Sequence, residues 1–398
     1  MKTTAVIALV LLCSLTGGIQ AQNQTVIDSL SALLTSATRS MADKNYRKAT
    51  ALYNEAIAFS QSQSDQDLPQ GYKRSVYNSA YYNLSCIYSL NGRKTAALNA
   101  LRNAIDKGGF QDYAWAMKDS DLRDIQHESA FREMIRELKQ KYDYPALLKT
   151  CGPYRGKDKN ADLPAFTYLE KNDPRLVHLR ESLNLDSIAG NGHELSKIKN
   201  LCLWVHNAVR HDGGSPNPSE KNTLALLKVC REQNRGINCR MMATMLNECY
   251  LAMGFKSRMV TCLPKDQNDP DCHVVTVVWS DSLRQWVLSD PTFYAFLSDK
   301  KGRLLGIEQA RELLAQGKTV LVNPEANWNG KKKSQDDYLR YMSKNFYWFS
   351  CPVNSTYDAE SENKRNNRYY VMLAAGDFTP WQNDYLTRDP NYFWAQPE

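Results

Sequence analysis

The residues of this chain whose types and spacing suit nucleophilic chemistry are a thiol that opens a helix and a histidine and an aspartate at the open end of one hairpin. Cys239 follows Gly236-Ile237-Asn238 and starts a run in which Met242, Met245, Leu246, Cys249 and Met253 share its helical stripe, with Gly254 as the stop. Free backbone N–H groups and the macrodipole at a helix start stabilise a thiolate, which is the reactive form of cysteine. The same N–H groups suit a developing oxyanion.

His273–Trp279 and Gln285–Ser289 read as strands. A turn over Ser280–Leu283 predicts Trp279 beside Arg284, Val277 beside Trp286, Val275 beside Leu288 and His273 beside Asp290. Val275, Val277, Trp286 and Leu288 then share the face of His273 and Asp290, which is expected to be buried toward helices. Pro291 cannot donate to a ladder, so the strand should end with the Asp290 carboxylate at the rim. A carboxylate beside an imidazole fixes its tautomer and stabilises its charged form. Cys239, His273 and Asp290 thus form a candidate catalytic triad of nucleophile, general base and acid, and orienter.

Other readings compete for these residues. Taken singly, Cys239 reads better as core, because cysteine is among the most buried residue types; the helix start and the hairpin pair together favour the triad. A zinc site from Cys239, Cys272 and His273 lacks Cys-x-x-Cys or paired-His spacing, and adjacent strand residues point to opposite faces. No metal and no cofactor is expected. His206 and His211 are read as closing a helix, where a cation suits the dipole, and hence as structural. Cys202, Cys230, Cys249 and Cys262 read as core residues or disulfide halves.

Gly236-x-x-Cys239 opening a helix, Gly254-Phe255-Lys256-Ser257-Arg258 leading into a strand, His273 starting the next and Trp286-Val287-Leu288-Ser289-Asp290-Pro291 ending another resemble the transglutaminase-like superfamily. The resemblance covers roughly Leu195 to Phe296. It implies a papain-related fold and acyl transfer from a carboxamide of a peptide or protein through a thioester. Cys272-His273-Val274 departs from the aromatic or small residues more usual around the histidine, which leaves the triad intact and the substrate groove open. No residue is assigned to complete the oxyanion hole; Gln233 and Asn234 are near only in sequence.

The elements that must hold these residues are helical first. Ile198, Leu201, Cys202, Val205 and Val209 recur at helical spacing and stop before His211-Asp212-Gly213-Gly214, and a second helix covers Leu224 to Cys230. After Gly254 the period switches to two over Phe255–Cys262 and the hairpin runs. The expected fold class is α+β, with helices preceding an antiparallel sheet.

Upstream, Asp43 to Ala56 and then Tyr81, Leu84, Ser85, Tyr88, Gly92, Ala97, Leu101 and Ala104 fall where tetratricopeptide repeats place bulky, small and glycine residues, with a capping helix to Lys141. An ordinary helical hairpin domain predicts the same helices. The domains are therefore read as a tetratricopeptide-like helical domain over 22–148, a transglutaminase-like domain over 149–323 and an aromatic-rich extension over 324–398. That extension has one strand candidate at Arg368–Leu373, no assigned fold, and is expected to pack on the domain before it.

Lys2, the apolar run Ala5–Leu15 and the small exit at Gly17, Gly18 and Ala21 describe a signal peptide over 1–21. Export to a periplasmic or extracellular space is expected. A lipid anchor at Cys13 is the lesser reading, since Leu12 stands where a small residue is wanted. The run is too short to span a bilayer. The formal charge of +7 is dispersed among acids apart from Lys331-Lys332-Lys333, which excludes a nucleic-acid footprint. Nine of the ten cysteines lie beyond the leader, an odd number that leaves one thiol unpaired in a monomer.

The sequence thus points to an exported thiol enzyme of peptide or carboxamide bonds. Hydrolysis is favoured over crosslinking because water is always present and no amine site is visible. The alternative is an inactive fold that serves, with the helical repeats as a protein-binding surface, as a protein- or glycan-binding module.

Overall fold

The computed structural model describes residues 21–154, 156, 162–267, 269, 271–361, 368–381 and 384–398. The signal peptide expected over 1–21 lies, apart from Ala21, outside the described residues. The chain divides into two compact units, the first ending at Asp143 and the second starting at Tyr144.

The first unit is helical: α1 (Ala21–Ala42), α2 (Tyr46–Ser62), α3 (Gln70–Leu90), α4 (Lys94–Asp106), α5 (Tyr113–Lys118) and α6 (Ser129–Tyr142). Helices adjacent in sequence pack on one another, α1 on α2, α2 on α3 and α3 on α4. Buried Ala49, Ala56, Ala80, Ala97 and Ala104 let the axes approach, and Gly92 takes the left-handed φ of +69° that the corner between α3 and α4 requires. The unit is a row of helical hairpins.

The second unit begins with α7 (Tyr144–Lys149), β1 (Thr167–Tyr168), α8 (Pro174–Leu183), α9 (Leu185–Ala189), α10 (Glu194–Ala208), α11 (Thr223–Glu232) and α12 (Cys239–Ala252). It continues through β2 (Ser257–Leu263), β3 (His273–Ser280), β4 (Gln285–Ser289), β5 (Leu297–Ser298), α13 (Ile307–Ala315), β6 (Leu321–Val322), β7 (Asn327–Trp328), β8 (Lys331–Lys332) and α14 (Gln335–Asn345). Last come β9 (Trp348–Pro352), β10 (Asn354–Ser355), β11 (Tyr370–Ala374), β12 (Tyr385–Thr387) and α15 (Pro390–Phe393).

The main sheet has the order β12-β11-β9-β2-β3-β4, antiparallel except for the parallel β11–β12 pair at one edge. Its β9, β11 and β12 lie beyond residue 323, so the aromatic tail is sheet and core. Period-two alternation sorts the sheet's two faces. Val278 and Val287 pack with α10, α11 and α12, whereas Val275, Val277, Trp286 and Leu288 pack with α13, α14 and Trp348, Phe349 and Phe393.

The hairpin register differs from the expected one by two residues. The structure pairs Ser280 with Gln285, Trp279 with Trp286 and Val277 with Leu288, so the loop is 281–284. Continuing that register sets Val275, and not His273, opposite Asp290. Two forces move it. Arg284 adopts φ +51°, closing the loop one residue later, and Glu194 at the start of α10 accepts hydrogen bonds from the Ser280 hydroxyl, the Asp281 and Ser282 N–H groups and the Ser282 hydroxyl. A two-residue shift preserves faces, so His273 and Asp290 remain on one side as diagonal neighbours.

Candidate active site

Cys239 is the first residue of α12. Asn238 caps the helix, its side chain accepting from the Met241 N–H at 3.1 Å. As the first helical residue, Cys239 keeps an N–H that no carbonyl of its own helix can meet. Its side chain rests on Ala243, Met259 and Val274 on the α12 side of the sheet.

His273 starts β3 and is 1 % exposed; Asp290, just past β4, is 0 % exposed. Imidazole Nε2 and Asp290 Oδ2 are 2.7 Å apart. A buried carboxylate needs its lone pairs met, and here they are: Tyr338 donates its hydroxyl to Oδ2 at 2.9 Å, and the Thr292 N–H donates to Oδ1 at 2.9 Å. The rings of Tyr341 and Phe293 meet the imidazole edge-to-face at 5.3 and 5.6 Å. Tyr338 and Tyr341, one turn apart on α14, thus cover the pair. With Nε2 taken by Asp290, Nδ1 is left for Cys239, with which His273 shares a hydrogen bond at the rim where α12 and β3 both begin.

Burial alone would raise the Cys239 pKa, yet hydrogen bonds from His211 and His273, the charge of His273 and the Val274 backbone bring it down to about 6. Burial likewise opposes a charged His273, but Asp290 and the Cys239 sulfur hold its pKa well above the ordinary value. The lowered thiol and the raised imidazole each favour the thiolate–imidazolium form of the pair. Elsewhere burial pushes thiols up, as at Cys202, Cys249 and Cys272. All nine described cysteines are free thiols. Among the described residues no group of three or more His, Cys, Asp or Glu is placed to hold a metal ion.

Of His206 and His211, both read as closing a helix, His206 does so, whereas His211 lies past the helix end and its reading is corrected. His206 lies in the last turn of α10, buried between the Pro291 carbonyl at 2.9 Å and Asn327 Oδ1 at 3.0 Å. His211 lies beyond the helix, bridged in parallel to Ile237, and its ring reaches Cys239. Its Nδ1 accepts from Trp328 Nε1 at 2.9 Å. Sequence reasoning missed His211, Trp328, Tyr338 and Tyr341. One signal was present: Asn329-Gly330 between β7 and β8 is the strongest short hairpin cue, and both residues have positive φ, +50° and +78°.

Residues 181–291 match the transglutaminase-like superfamily. This segment is a transglutaminase-like domain. The match ends one residue past Asp290 and contains Cys239, His273 and His211, whereas Trp328, Asn329 and Tyr338 lie outside it. No curated protein and no solved structure matches the chain. Among the described residues no helix is long and apolar enough to cross a membrane.

Proposed function

We propose that this protein is an exported thiol hydrolase acting on peptide or carboxamide bonds, with Cys239 as nucleophile, His273 as general acid and base and Asp290 as orienter. The observation that carries the reading is the half-buried thiol at a helix start, bound to an imidazole whose other nitrogen is fixed on a fully satisfied carboxylate.

The thiolate attacks the carboxamide carbon, forming C–S while the carbonyl π pair moves onto oxygen. Collapse reforms C=O and breaks C–N, the amine leaving with the proton of the His273 imidazolium. Neutral His273 then takes a proton from water as its oxygen attacks the thioester; C–S breaks, and acid and thiolate are restored. Water, always present, serves as the acceptor, whereas crosslinking would need a dedicated amine site.

Export through the leader and a partner-binding role for the helical pairs, as tetratricopeptide-like repeats, belong to the same proposal. Iodoacetamide labelling across pH tests the centre. Cys239 should alkylate with a midpoint near about 6, the rate falling tenfold per pH unit below it as the thiol takes up its proton. A midpoint near the ordinary value of about 8.5 would give preference to an inactive binding module.

A further inference from the structure

We infer that His211 is a further catalytic group of this site, a neutral imidazole whose Nε2–H faces the Cys239 sulfur and holds the acyl oxygen as it becomes an oxyanion. The inference rests on Cys239 being the nucleophile.

The main chain of His211 is held on two sides. Along one, the Ile237 N–H donates to the Arg210 carbonyl at 3.0 Å and the Asp212 N–H to the Ile237 carbonyl at 2.8 Å. A Cβ at Gly236 would lie 2.6 Å from the Arg210 carbonyl oxygen, so glycine is what lets the strand segment lie against the run-in to Cys239. Along the other, Asn329 grips His211 with both amide atoms, Oδ1 accepting from the His211 N–H and Nδ2 donating to its carbonyl, each at 2.9 Å.

The ring is oriented by chemistry. An indole N–H can only donate, so the Trp328 bond requires a lone pair on His211 Nδ1, and the proton of the neutral ring is on Nε2. Nε2 is then the ring nitrogen left to meet the sulfur. Trp328 is itself placed by the Asn329-Gly330 turn, which Asn327 Oδ1 braces by accepting from the Gly330 N–H at 2.8 Å.

Exposure decides where substrate comes from. His273 and Asp290 are buried, whereas Cys239, His211 and Trp328 are half-buried, so a carbonyl reaches the sulfur on the His211 side. His273 Nδ1 is engaged with the sulfur and must give its proton to the leaving group. The Cys239 N–H left unmet at the start of α12 and the His211 Nε2–H would approach an acyl oxygen at that sulfur from two elements, as an oxyanion site requires.

The test uses the full chain and p-nitrophenyl acetate. The thiolate adds to the ester carbon, the π pair moves to oxygen, and collapse breaks C–O to release p-nitrophenolate, leaving an acetyl thioester. Iodoacetamide reacts at the same sulfur by displacing iodide at carbon and forms no oxyanion. Both rates are measured above the alkylation midpoint of each variant.

His211→Ala should slow acylation by about 10²-fold or more while alkylation stays within about threefold. His211→Gln, which keeps an N–H donor, should recover acylation to within about tenfold of wild type. Trp328→Phe, which keeps the ring and removes its N–H, should slow acylation less than His211→Ala. An acylation rate in His211→Ala equal to wild type, or a loss shared equally with alkylation, overturns the role of His211 and leaves the triad standing. Wild-type alkylation on an ordinary thiol curve overturns the triad, and this role with it.

Discussion

The helical unit through Asp143 and the sheet-containing unit from Tyr144 draw their chain together in opposite ways. In the first, each helix packs on the next, so its core of Tyr53, Ala80, Leu101 and their neighbours is assembled from segments near in sequence. In the second, β9 and β11 return from 348–374 to lie beside β2, Trp328 bonds His211 across 117 positions, and Tyr338 bonds Asp290 across 48. Local stacking makes a body whose parts support their neighbours; a reactive thiol needs groups from several distant segments fixed around one sulfur. The difference places the proposed chemistry in the unit where loss of a remote segment does most damage.

The largest effect should come from removing the remote segment itself. A chain ending at residue 323 lacks β9, β11, β12 and Tyr338, and its second unit should lose cooperative unfolding, read by tryptophan fluorescence. Cys239 should then alkylate as an ordinary thiol. A truncated chain that keeps a midpoint near 6 would break the comparison.

Next is His273→Ala, expected to slow acyl transfer by about 10⁴-fold, as removal of a triad member does. The sign of its pH effect follows from the thiol: an imidazolium favours thiolate, so its loss should raise the alkylation midpoint from about 6 toward about 8.5. At pH 6 that removes about 10²-fold of the reactive form.

A deletion in the helical core gives the converse. Leu101→Ala at a fully buried position of α4 should cost about 2–5 kcal/mol in urea unfolding of that unit. Alkylation of Cys239 in the folded protein should not move; a shifted curve would show that the two regions share more than a chain. The smallest effect is expected of Tyr338→Phe, which takes one donor from a buried carboxylate. It should cost about 2 kcal/mol and move the Cys239 midpoint by less than about one pH unit, read by the same labelling.

Much of the site was legible because it depends on short-range rules. Asn238 as cap and Cys239 as first helical residue follow from local capping chemistry, and His273 and Asp290 share a face under any even register shift because strand alternation has period two. The register itself was not legible. A four-residue loop fits at more than one offset, and the one adopted is chosen by Glu194, 86 positions from Ser280. His211 looked like a helix-end histidine because its partners, Trp328 and Asn329, are brought to it only by the fold. The sequence by itself determined the helices around and carrying Cys239, the strand runs over 255–289, the thiol at a helix start and the parity of the His273–Asp290 pair, all set by interactions within a few residues. Tertiary structure alone decided which side of the sheet α14 covers, that Tyr338 completes the Asp290 carboxylate, and that a second imidazole meets the sulfur. Those contacts close loops of tens to more than a hundred residues, and no local pattern encodes where such loops end.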